Sequence, residues 1–364
     1  MKILLVGGGS GGPVTPVLAV AQELKKLKPR TEFLFVGTRQ GPERSMVSDF
    51  GIPFKSIAAA KFRRYFSLRN FLDIFIFLFS LLQALFVVRK FRPDAVFAAG
   101  SYVSVPVAWM AKLLGAKVII HQQDVSIGLA NKLISPFADQ ITTALAYTAK
   151  KFYSGSGLFT KKWKAGAEWV GNPFRQELLS SQKPDRKIFG LNDKLPVLLI
   201  LGGATGAVQI NSVVEACLDE LLKAHQVIHQ TGKGKKANFI HPDYHQYELL
   251  PFDKYVSALK LADIVIARAG LSTLTELSML GKIAIIVPMP DSHQMINAQV
   301  IKGASAAVVL SFDEFNPVDL PRIVTSLKFN VSRQRMLIEN ITGLMPKDAG
   351  SRIAKLIIKQ VNAR

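Results

Sequence analysis

The chain has 364 residues, of which 49% are hydrophobic and 20% charged, and this composition excludes an intrinsically disordered protein. Its formal net charge of +20 predicts an anionic partner, for which nucleic acid, anionic lipid and phosphorylated substrates all qualify. A single cysteine, Cys217, excludes an intramolecular disulfide framework and fits a reducing compartment. The length predicts two domains, each large enough to bury its own core.

The N-terminal half alternates short apolar runs with amphipathic stretches, a rhythm that predicts a parallel sheet covered by helices on both faces. Its predicted strands are 2–6, 32–36, 95–99 and 117–121, and its predicted helices include 16–27 and 105–114. A second series begins after Asn172-Pro173, with strands near 197–201, 226–230, 263–267 and 284–287. We therefore expect an α/β protein with domains 1–172 and 173–345, and a C-terminal helix within 346–364 that packs back on the first domain.

The N-terminus does not resemble an export signal. After Met1 and Lys2 a short apolar run breaks at Gly7, which is too short for a signal-peptide core. We expect the chain to remain in the cytosol.

Two glycine-rich turns repeat one pattern, at residues 3–12 and 198–207. Each joins an apolar run to an amphipathic stretch, and a helix that begins after such a turn presents backbone N–H groups to phosphate. The first turn lacks the Lys-Ser/Thr of a P-loop, and Phe35-Val-Gly-Thr38 lacks the acidic residue of a nicotinamide site. The pattern favours two phosphate-binding domains facing across a cleft; a purely structural tight turn is the alternative for the first loop.

Residues 268–276 predict a diphosphate and ribose site. Gly270 releases the chain from a strand, and Ser272 or Thr273 is expected to cap the next helix, whose N–H groups would receive a diphosphate. Glu276 follows about one turn later, where its carboxylate could accept hydrogen bonds from both hydroxyls of a ribose. The alternative is a capping box in which Glu276 reaches back to its own N-cap.

Two polar loops also follow predicted strands, where ligand sites of parallel sheets gather. Residues 291–297 (Asp-Ser-His-Gln-Met-Ile-Asn) could hold sugar hydroxyls, although a loop of this composition is usually only solvated. His121-Gln-Gln-Asp124 closes a strand of the first domain, and we expect Asp124 to be the only carboxylate near a glycine loop in this half. A helix cap is the alternative role for Asp124.

Metal and nucleic-acid chemistry are not indicated. His225 and His229 fall on a predicted strand, and His241 and His245 adjoin Pro242, so neither pair reads as a ligand pair, and no cofactor is expected. The net charge of the chain would suit nucleic-acid binding, but the sequence contains neither a recognised nucleic-acid-binding module nor interleaved aromatic and basic residues.

An apolar, phenylalanine-rich segment spans residues 71–88 and is flanked by basic residues. It reaches only the lower limit of a transmembrane helix, lies between strands of one sheet, and contains Asp73, which would be costly at depth. The pattern favours an interfacial helix on anionic headgroups, with an over-hydrophobic core helix as the alternative. The expected membrane contacts are Arg64, Phe71, Phe75, Leu78, Phe79, Leu82 and Arg89.

Taken together, these segments resemble the bacterial MurG family of glycosyltransferases, whose two-domain fold is called GT-B. The resemblance also runs through the segments 100–104, 171–175, 229–234 and 294–298, and covers nearly the whole chain. It implies an inverting, metal-independent transfer of N-acetylglucosamine from UDP-N-acetylglucosamine to an undecaprenyl-pyrophosphoryl muramyl peptide. It further implies a peripheral position on the cytoplasmic face of the inner membrane.

The resemblance also implies roles for individual residues. The second glycine loop and residues 271–275 would bind the donor diphosphate. Glu276 would hold the ribose, Arg175 would reach the uridine or phosphate, and the backbone near Phe252 would read the uracil. His293, Gln294 and Asn297 would contact the sugar, while the first loop would face the acceptor diphosphate. The full set of binding residues is Ser10, Gly11, Gly12, Asp124, Arg175, Ala204, Thr205, Gly206, Phe252, Leu271, Ser272, Thr273, Leu274, Thr275, Glu276, His293, Gln294 and Asn297.

The chain departs from the family pattern at the expected catalytic position. Pro13 stands where the family has a histidine after the first glycine loop, and His121-Gln122-Gln123-Asp124 replaces His-Glu-Gln-Asn. An inverting transfer needs a base near the attacking hydroxyl, and our hypothesis assigns this role to Asp124, with His121 as the second candidate. The rival interpretations are a GT-B enzyme for another sugar and lipid, and a nucleotide-sugar-binding scaffold without turnover.

Overall fold

The structure is a computed structural model that describes residues 1–9, 11–41, 43–59, 69–153, 166–181, 183–203 and 206–363, with the backbone alone for 69–72 and 153. The chain divides into two compact units. Unit 1 comprises Met1–Arg175 and Pro346–Arg364, and unit 2 comprises Gln176–Met345.

Unit 1 is built on a parallel sheet. Its strands are β1 Lys2–Val6, β2 Glu32–Gly37, β3 Phe54–Ser56, β4 Ala95–Ala98, β5 Lys117–Gln122, β6 Gln140–Thr143 and β7 Ala167–Trp169. They lie in the order β3-β2-β1-β4-β5-β6-β7. The order therefore reverses between β1 and β4, and ligands of such sheets bind at the carboxyl ends of the strands beside this switch point.

Helices cover both faces of this sheet. They are α1 Val14–Leu27, α2 Glu43–Ser48, α3 Arg69–Phe91, α4 Ser104–Leu113, α5 Leu129–Ile134 and α6 Ala146–Tyr153. Because side chains alternate along a strand, Ile3 and Leu5 of β1 enter one core layer, and Leu4 and Val6 enter the other. β1 is therefore an unbroken apolar run, as expected of a strand buried on both faces.

Unit 2 repeats the same design. Its strands are β8 Val197–Leu201, β9 Gln226–Gln230, β10 Tyr244–Tyr247, β11 Ile264–Ala267, β12 Ile283–Ile286 and β13 Val308–Val309, in the parallel order β10-β9-β8-β11-β12-β13. Its helices are α7 Val208–Ala216, α8 Leu218–Leu222, α9 Phe252–Leu261, α10 Leu271–Leu280, α11 His293–Gly303, α12 Asp319–Phe329 and α13 Val331–Thr342. The switch point of this sheet lies between β8 and β11.

The last helix, α14 Ala349–Asn362, belongs to unit 1 and packs against α1. Its buried residues Ile353, Ala354 and Ile357 join the core layer that contains Ile3 and Leu5. The helix has a strongly one-sided apolar pattern, which is why it needs a partner surface.

The predicted class, an α/β protein with two parallel sheets, is confirmed by both sheets. Several short strands escaped the sequence analysis, because β6 (Gln-Ile-Thr-Thr) and β10 (Tyr-His-Gln-Tyr) carry no apolar run. Helix α1 starts at Val14, two residues before the predicted start at Pro16. Proline is tolerated in the first turn of a helix, because the N–H group that it lacks would have no partner within the helix there.

Candidate functional site

The first glycine turn lies between β1 and α1, at the switch point of unit 1. Gly9 has a φ of +82°, and the carbonyl of Gly11 accepts hydrogen bonds from the N–H groups of Val14 and Thr15 at 3.1 and 3.2 Å. Gly12 follows directly, and Ser10 lies outside the described residues. The turn therefore starts α1 at the edge where a ligand of this sheet is expected.

The loop after β4 closes the other side of the same switch point. The Ser101 hydroxyl donates to the carbonyl of Gly8 at 2.9 Å, and Ser101 itself has a φ of +82°. The ring of Tyr102 approaches so closely that a Cβ on Gly9 would lie 2.8 Å from one of its carbons. These contacts require glycine in the first turn and fix its shape.

A carboxylate that sequence reasoning missed, Glu43, lies beneath this turn. It is fully buried at the start of α2, and its Oε1 accepts from the backbone N–H of Thr38 at 2.6 Å and from the Thr38 hydroxyl. A Cβ on Gly8 would lie 2.6 Å from the same oxygen. The expectation that Asp124 is the only carboxylate near a glycine loop in this half is therefore wrong. The only signal in the sequence was an acidic residue shortly after the second strand.

At the end of β5, His121 is fully buried and both ring nitrogens have partners. Its Nδ1 lies 3.0 Å from the Thr142 hydroxyl and its Nε2 lies 3.1 Å from Oδ1 of Asn172. Burial lowers the pKa of His121 to about 4. This environment keeps the imidazole neutral and suits a residue that positions the Asn172 segment.

Asp124 lies in the loop after β5 and is partly exposed. The side chain of Gln122 organises this loop, because its Nε2 donates to the carbonyls of Asp124 and Ser126 at 2.8 and 3.0 Å. The Oε1 of Gln122 accepts from Asn131 at 2.8 Å. Gln122 therefore holds Asp124 at the carboxyl edge of the sheet, and the role of base stays a prediction.

Arg175 ends the first segment of unit 1. Its guanidinium lies 5.2 Å from the ring centroid of Phe50, a cation–π contact within that unit. Contact with uridine or phosphate stays a prediction.

The second glycine turn begins at the end of β8, beside the switch point of unit 2. Gly203 and Gly206 have φ values of +80° and +74°, and a Cβ on Gly206 would lie 2.1 Å from the carbonyl oxygen of Thr231. The ammonium of Lys235 lies 3.4 Å from the carbonyl oxygen of Gly206, which it contacts as a donor. Ala204 and Thr205 lie outside the described residues.

The start of α10 lies across the switch point, because β11 pairs with β8. Gly270 is the N-cap and the helix begins at Leu271, so the expectation that Ser272 or Thr273 caps it is wrong: both lie inside the first turn. The first intrahelical bond runs from the Leu274 N–H to the Gly270 carbonyl at 3.0 Å. Helix geometry gives the N–H groups of the three residues before Leu274 no intrahelical partner, the arrangement that attracts anions. Leu274 and Thr275 are buried, and the Thr275 hydroxyl donates to Leu271 within the helix.

Glu276 is partly exposed on α10, and its Oε2 accepts a hydrogen bond from the Tyr255 hydroxyl at 2.5 Å. No side chain caps the start of α10, so the structure does not show the capping box that was the alternative for Glu276. Tyr255 lies on α9, three residues after Phe252, with which that helix starts. Sequence reasoning missed Tyr255, because a tyrosine in a mixed helix carries no pattern of its own.

The polar residues of α11 divide into two groups. His293 is exposed at the helix start, and Gln294 donates its backbone N–H to the N-cap Ser292 at 3.2 Å. Asn297 is buried, and its amide donates to the carbonyl of Ala269 at 3.1 Å. Asn297 thus supports the turn that precedes α10, while sugar contact by these residues stays a prediction.

Helix α3 exposes its apolar face. Phe75, Leu78, Phe79 and Leu82 are 65%, 53%, 52% and 57% exposed. Three polar residues within its apolar stretch point inward: Asp73 and Ser80 are buried, and Gln83 accepts from the Ala58 N–H at 2.7 Å. A core helix would show the opposite pattern.

The structure describes the other three expected contacts of this surface to different extents. Arg89 is exposed near the end of α3. Phe71 lies on the helix with its backbone alone described, and Arg64 lies outside the described residues. Within the part of the chain that the structure describes, the one helix long and apolar enough to cross a bilayer is the stretch Asp73–Phe91, and only 17% of its 18-residue apolar window is buried. This criterion concerns length and composition alone.

No group of three or more His, Cys, Asp or Glu side chains within the described ranges is placed to hold a metal ion.

Comparison with known proteins identifies the class of this chain. The glycosyltransferase family 28 N-terminal domain matches residues 3–143, and the C-terminal domain of the same family matches residues 197–353. Two parallel α/β units, each with a glycine turn beside its switch point, thus define a two-domain glycosyltransferase of the GT-B fold class.

Relatives that share one transferase name are similar to this chain over most of its length. The UDP-N-acetylglucosamine–N-acetylmuramyl-(pentapeptide) pyrophosphoryl-undecaprenol N-acetylglucosamine transferase of Clostridium kluyveri is 34% identical and covers 98% of this chain and 99% of its own. The transferase of that name from Lachnospira eligens is 35% identical and covers 90% of each chain. The chain belongs to this transferase family, the MurG family.

Solved structures agree on the fold. The crystal structure of MurG from Acinetobacter baumannii has a TM-score of 0.73 at 23% identity, covering 98% of this chain and 99% of its own. A Staphylococcus aureus MnaA–UDP structure has a TM-score of 0.74 at 14% identity, covering 100% and 97%. At these identities the similarity shows the fold alone.

Proposed function

We propose that this protein transfers N-acetylglucosamine from UDP-N-acetylglucosamine to an undecaprenyl-pyrophosphoryl muramyl peptide, the activity for which its relatives are named. The observation that carries the proposal is the switch point of unit 2. There the second glycine turn follows β8, and the uncapped start of α10 follows the adjacent strand β11, with Glu276 on the same helix. Backbone amides at this point favour a diphosphate, and the carboxylate suits a ribose diol.

The start of α10 would also serve the chemistry. As the bond between the sugar and the diphosphate breaks, negative charge grows on the departing UDP, and amides already directed at that charge stabilise the transition state. The hydroxyl that attacks the sugar must lose a proton, and Asp124 in unit 1 is the proposed acceptor. The partly exposed carboxylate and the Gln122 contacts that hold its loop support this assignment.

The test is turnover by the full-length protein. Radiolabelled UDP-N-acetylglucosamine is incubated with the lipid-linked muramyl peptide, and we expect a doubly glycosylated lipid. Glu276→Ala should abolish most of the activity, whereas Glu339→Ala, which removes an exposed carboxylate of α13, should leave it unchanged. Preference for another UDP-sugar or lipid would favour a GT-B enzyme with other substrates. UDP binding without turnover would favour a nucleotide-sugar-binding scaffold.

The protein is proposed to act as a peripheral protein on the cytoplasmic face of an anionic membrane. The exposed Phe and Leu side chains of α3 suit insertion into the acyl boundary, and the exposed Arg89 with the net charge of +20 suits anionic headgroups.

Vesicle flotation tests the membrane proposal. The parent should float with phosphatidylglycerol vesicles, and the double variant Phe75→Ser and Phe79→Ser should stay in solution. Phe312→Ser is the matched control, because Phe312 is 60% exposed in unit 2. Equal flotation of the double variant and the control would contradict an α3 contact.

A further inference from the structure

We propose that Tyr255 is a positioning residue of the donor site, which holds the Glu276 carboxylate in the orientation that recognises the ribose hydroxyls of a uridine diphosphate donor. The proposal rests on the proposed function, since it assumes that the nucleotide binds beside Glu276. It adds a residue that determines the preference for ribose over deoxyribose.

A hydrogen bond joins Tyr255 directly to Glu276. The Tyr255 hydroxyl donates to Oε2 of Glu276 at 2.5 Å, and a bond to a carboxylate is stronger than one between neutral groups. The side chain of Thr273, one turn of α10 before Glu276, also lies near the Tyr255 hydroxyl. Tyr255 therefore links the helix start, where the diphosphate is proposed, to the carboxylate proposed for the ribose.

The protonation state of Tyr255 suits a hydrogen-bond donor. Burial, followed by the nearby charge of Glu276, raises the pKa of Tyr255 well above its usual value. The phenol stays protonated throughout the range in which an enzyme works, so it always acts as a donor toward Glu276.

A carboxylate such as that of Glu276 can accept more than one hydrogen bond. The two oxygens of a carboxylate offer about four acceptor sites, and the phenol uses one of them. A freely rotating glutamate loses side-chain entropy when it is fixed. Tyr255 fixes Glu276 before the ligand arrives, so the ribose diol meets an acceptor that is already oriented.

Tyr255 also lies close in the chain to the residue proposed to read the uracil. It lies three residues after Phe252 on α9, where the uracil is proposed to be read, and its backbone N–H donates to the carbonyl of the N-cap Pro251 at 2.8 Å. The same first turn of α9 would thus contribute to recognition of both the base and the ribose.

The experiment measures binding of UDP and of 2′-deoxy-UDP to the full-length parent and to Tyr255→Phe by calorimetry. We expect the variant to bind UDP about 10-fold more weakly, which corresponds to the loss of one charged hydrogen bond. Binding of 2′-deoxy-UDP should change about 2-fold or less, so that the preference for ribose falls. In turnover, the donor KM should rise while kcat stays within about 3-fold. Tyr147→Phe, which alters an exposed tyrosine of unit 1, is the matched control and should equal the parent.

Glu276→Ala distinguishes failure of the Tyr255 inference from failure of the proposed donor site. If Glu276→Ala loses UDP affinity and Tyr255→Phe keeps the parent's preference for ribose, the role of Tyr255 is refuted and the donor site stands. If Glu276→Ala binds UDP as the parent does, the nucleotide binds elsewhere and the proposed donor site itself fails. An equal loss of both nucleotides in Tyr255→Phe would indicate a general structural role and would also overturn the inference.

Discussion

Two glycines of the second turn offer a matched pair of substitutions. Gly203 and Gly206 both occupy the left-handed region, with φ values of +80° and +74°. A Cβ on Gly203 would meet nothing within 4 Å, whereas a Cβ on Gly206 would lie 2.1 Å from the Thr231 carbonyl oxygen and 2.8 Å from the Gly232 Cα. Both obstacles are backbone atoms, which cannot rotate away as a flexible side chain would.

The two variants should therefore differ in stability. Gly203→Ala costs only the left-handed conformation, about 1 kcal/mol. Gly206→Ala adds the displacement of the backbone that follows β9, which brings the total to about 3 kcal/mol when an overpacking cost is included. For a domain of this size, about 1 kcal/mol lowers Tm by roughly 3 °C. The expected losses in Tm are thus about 3 °C and about 9 °C.

Thermal unfolding and UDP binding together provide the assay. Gly203→Ala keeps the carbonyl that accepts from the Gly206 N–H at 3.1 Å, so the turn keeps its shape and UDP affinity should fall only slightly. Gly206→Ala should lose most of its UDP affinity, because the turn must move. Equal effects of the two substitutions on Tm would refute the argument from the backbone clash.

Three further predictions follow from the described residues. Burial lowers the pKa of His121 and of His229 to about 4, against 6.5 for the unfolded chain. The unfolded state therefore binds more protons than the folded state below pH 6.5, so the free energy of unfolding should fall as pH falls from about 6.5 toward about 4. Measurements of Tm across that pH range will test this. The dependence of Tm on pH should persist when an exposed histidine such as His293 is replaced by Gln, and it should become weaker in His229→Gln. Asp124→Asn should lower kcat at least ~100-fold if Asp124 is the base; activity within a few-fold of the parent would exclude it. Ser101→Ala removes the bond to Gly8 at 2.9 Å, and should raise KM for the acceptor with UDP affinity unchanged, as steady-state kinetics and calorimetry can verify.

The family and the fold class were accessible from sequence because their signals are local. An apolar run followed by glycines and an amphipathic stretch fixes a strand, a turn and a helix start within a dozen residues. Two copies of this unit predicted two parallel sheets, and both are present. The short strands β6 and β10 were missed, since their pairing depends on neighbours that the local sequence does not name.

The individual site residues divide in the same way. Glu276 stood out because it follows a glycine-started helix at a fixed spacing. The carboxylate of Glu43 and the phenol of Tyr255 did not, because their partners Thr38 and Glu276 are reached only through the fold. The cap assigned to Ser272 or Thr273 was wrong, since Gly270 starts the helix without a side-chain cap.

The sequence by itself determined that this protein has two α/β domains, a glycine-rich turn in each, and an unusually apolar basic-flanked helix. Only the tertiary structure decided that His121 is enclosed on both nitrogens, that Glu43 lies under the first turn, and that Tyr255 reaches Glu276. The physical reason is range: hydrophobic period and glycine turns act along the chain, whereas burial and hydrogen bonds between distant residues exist only once the sheets have assembled.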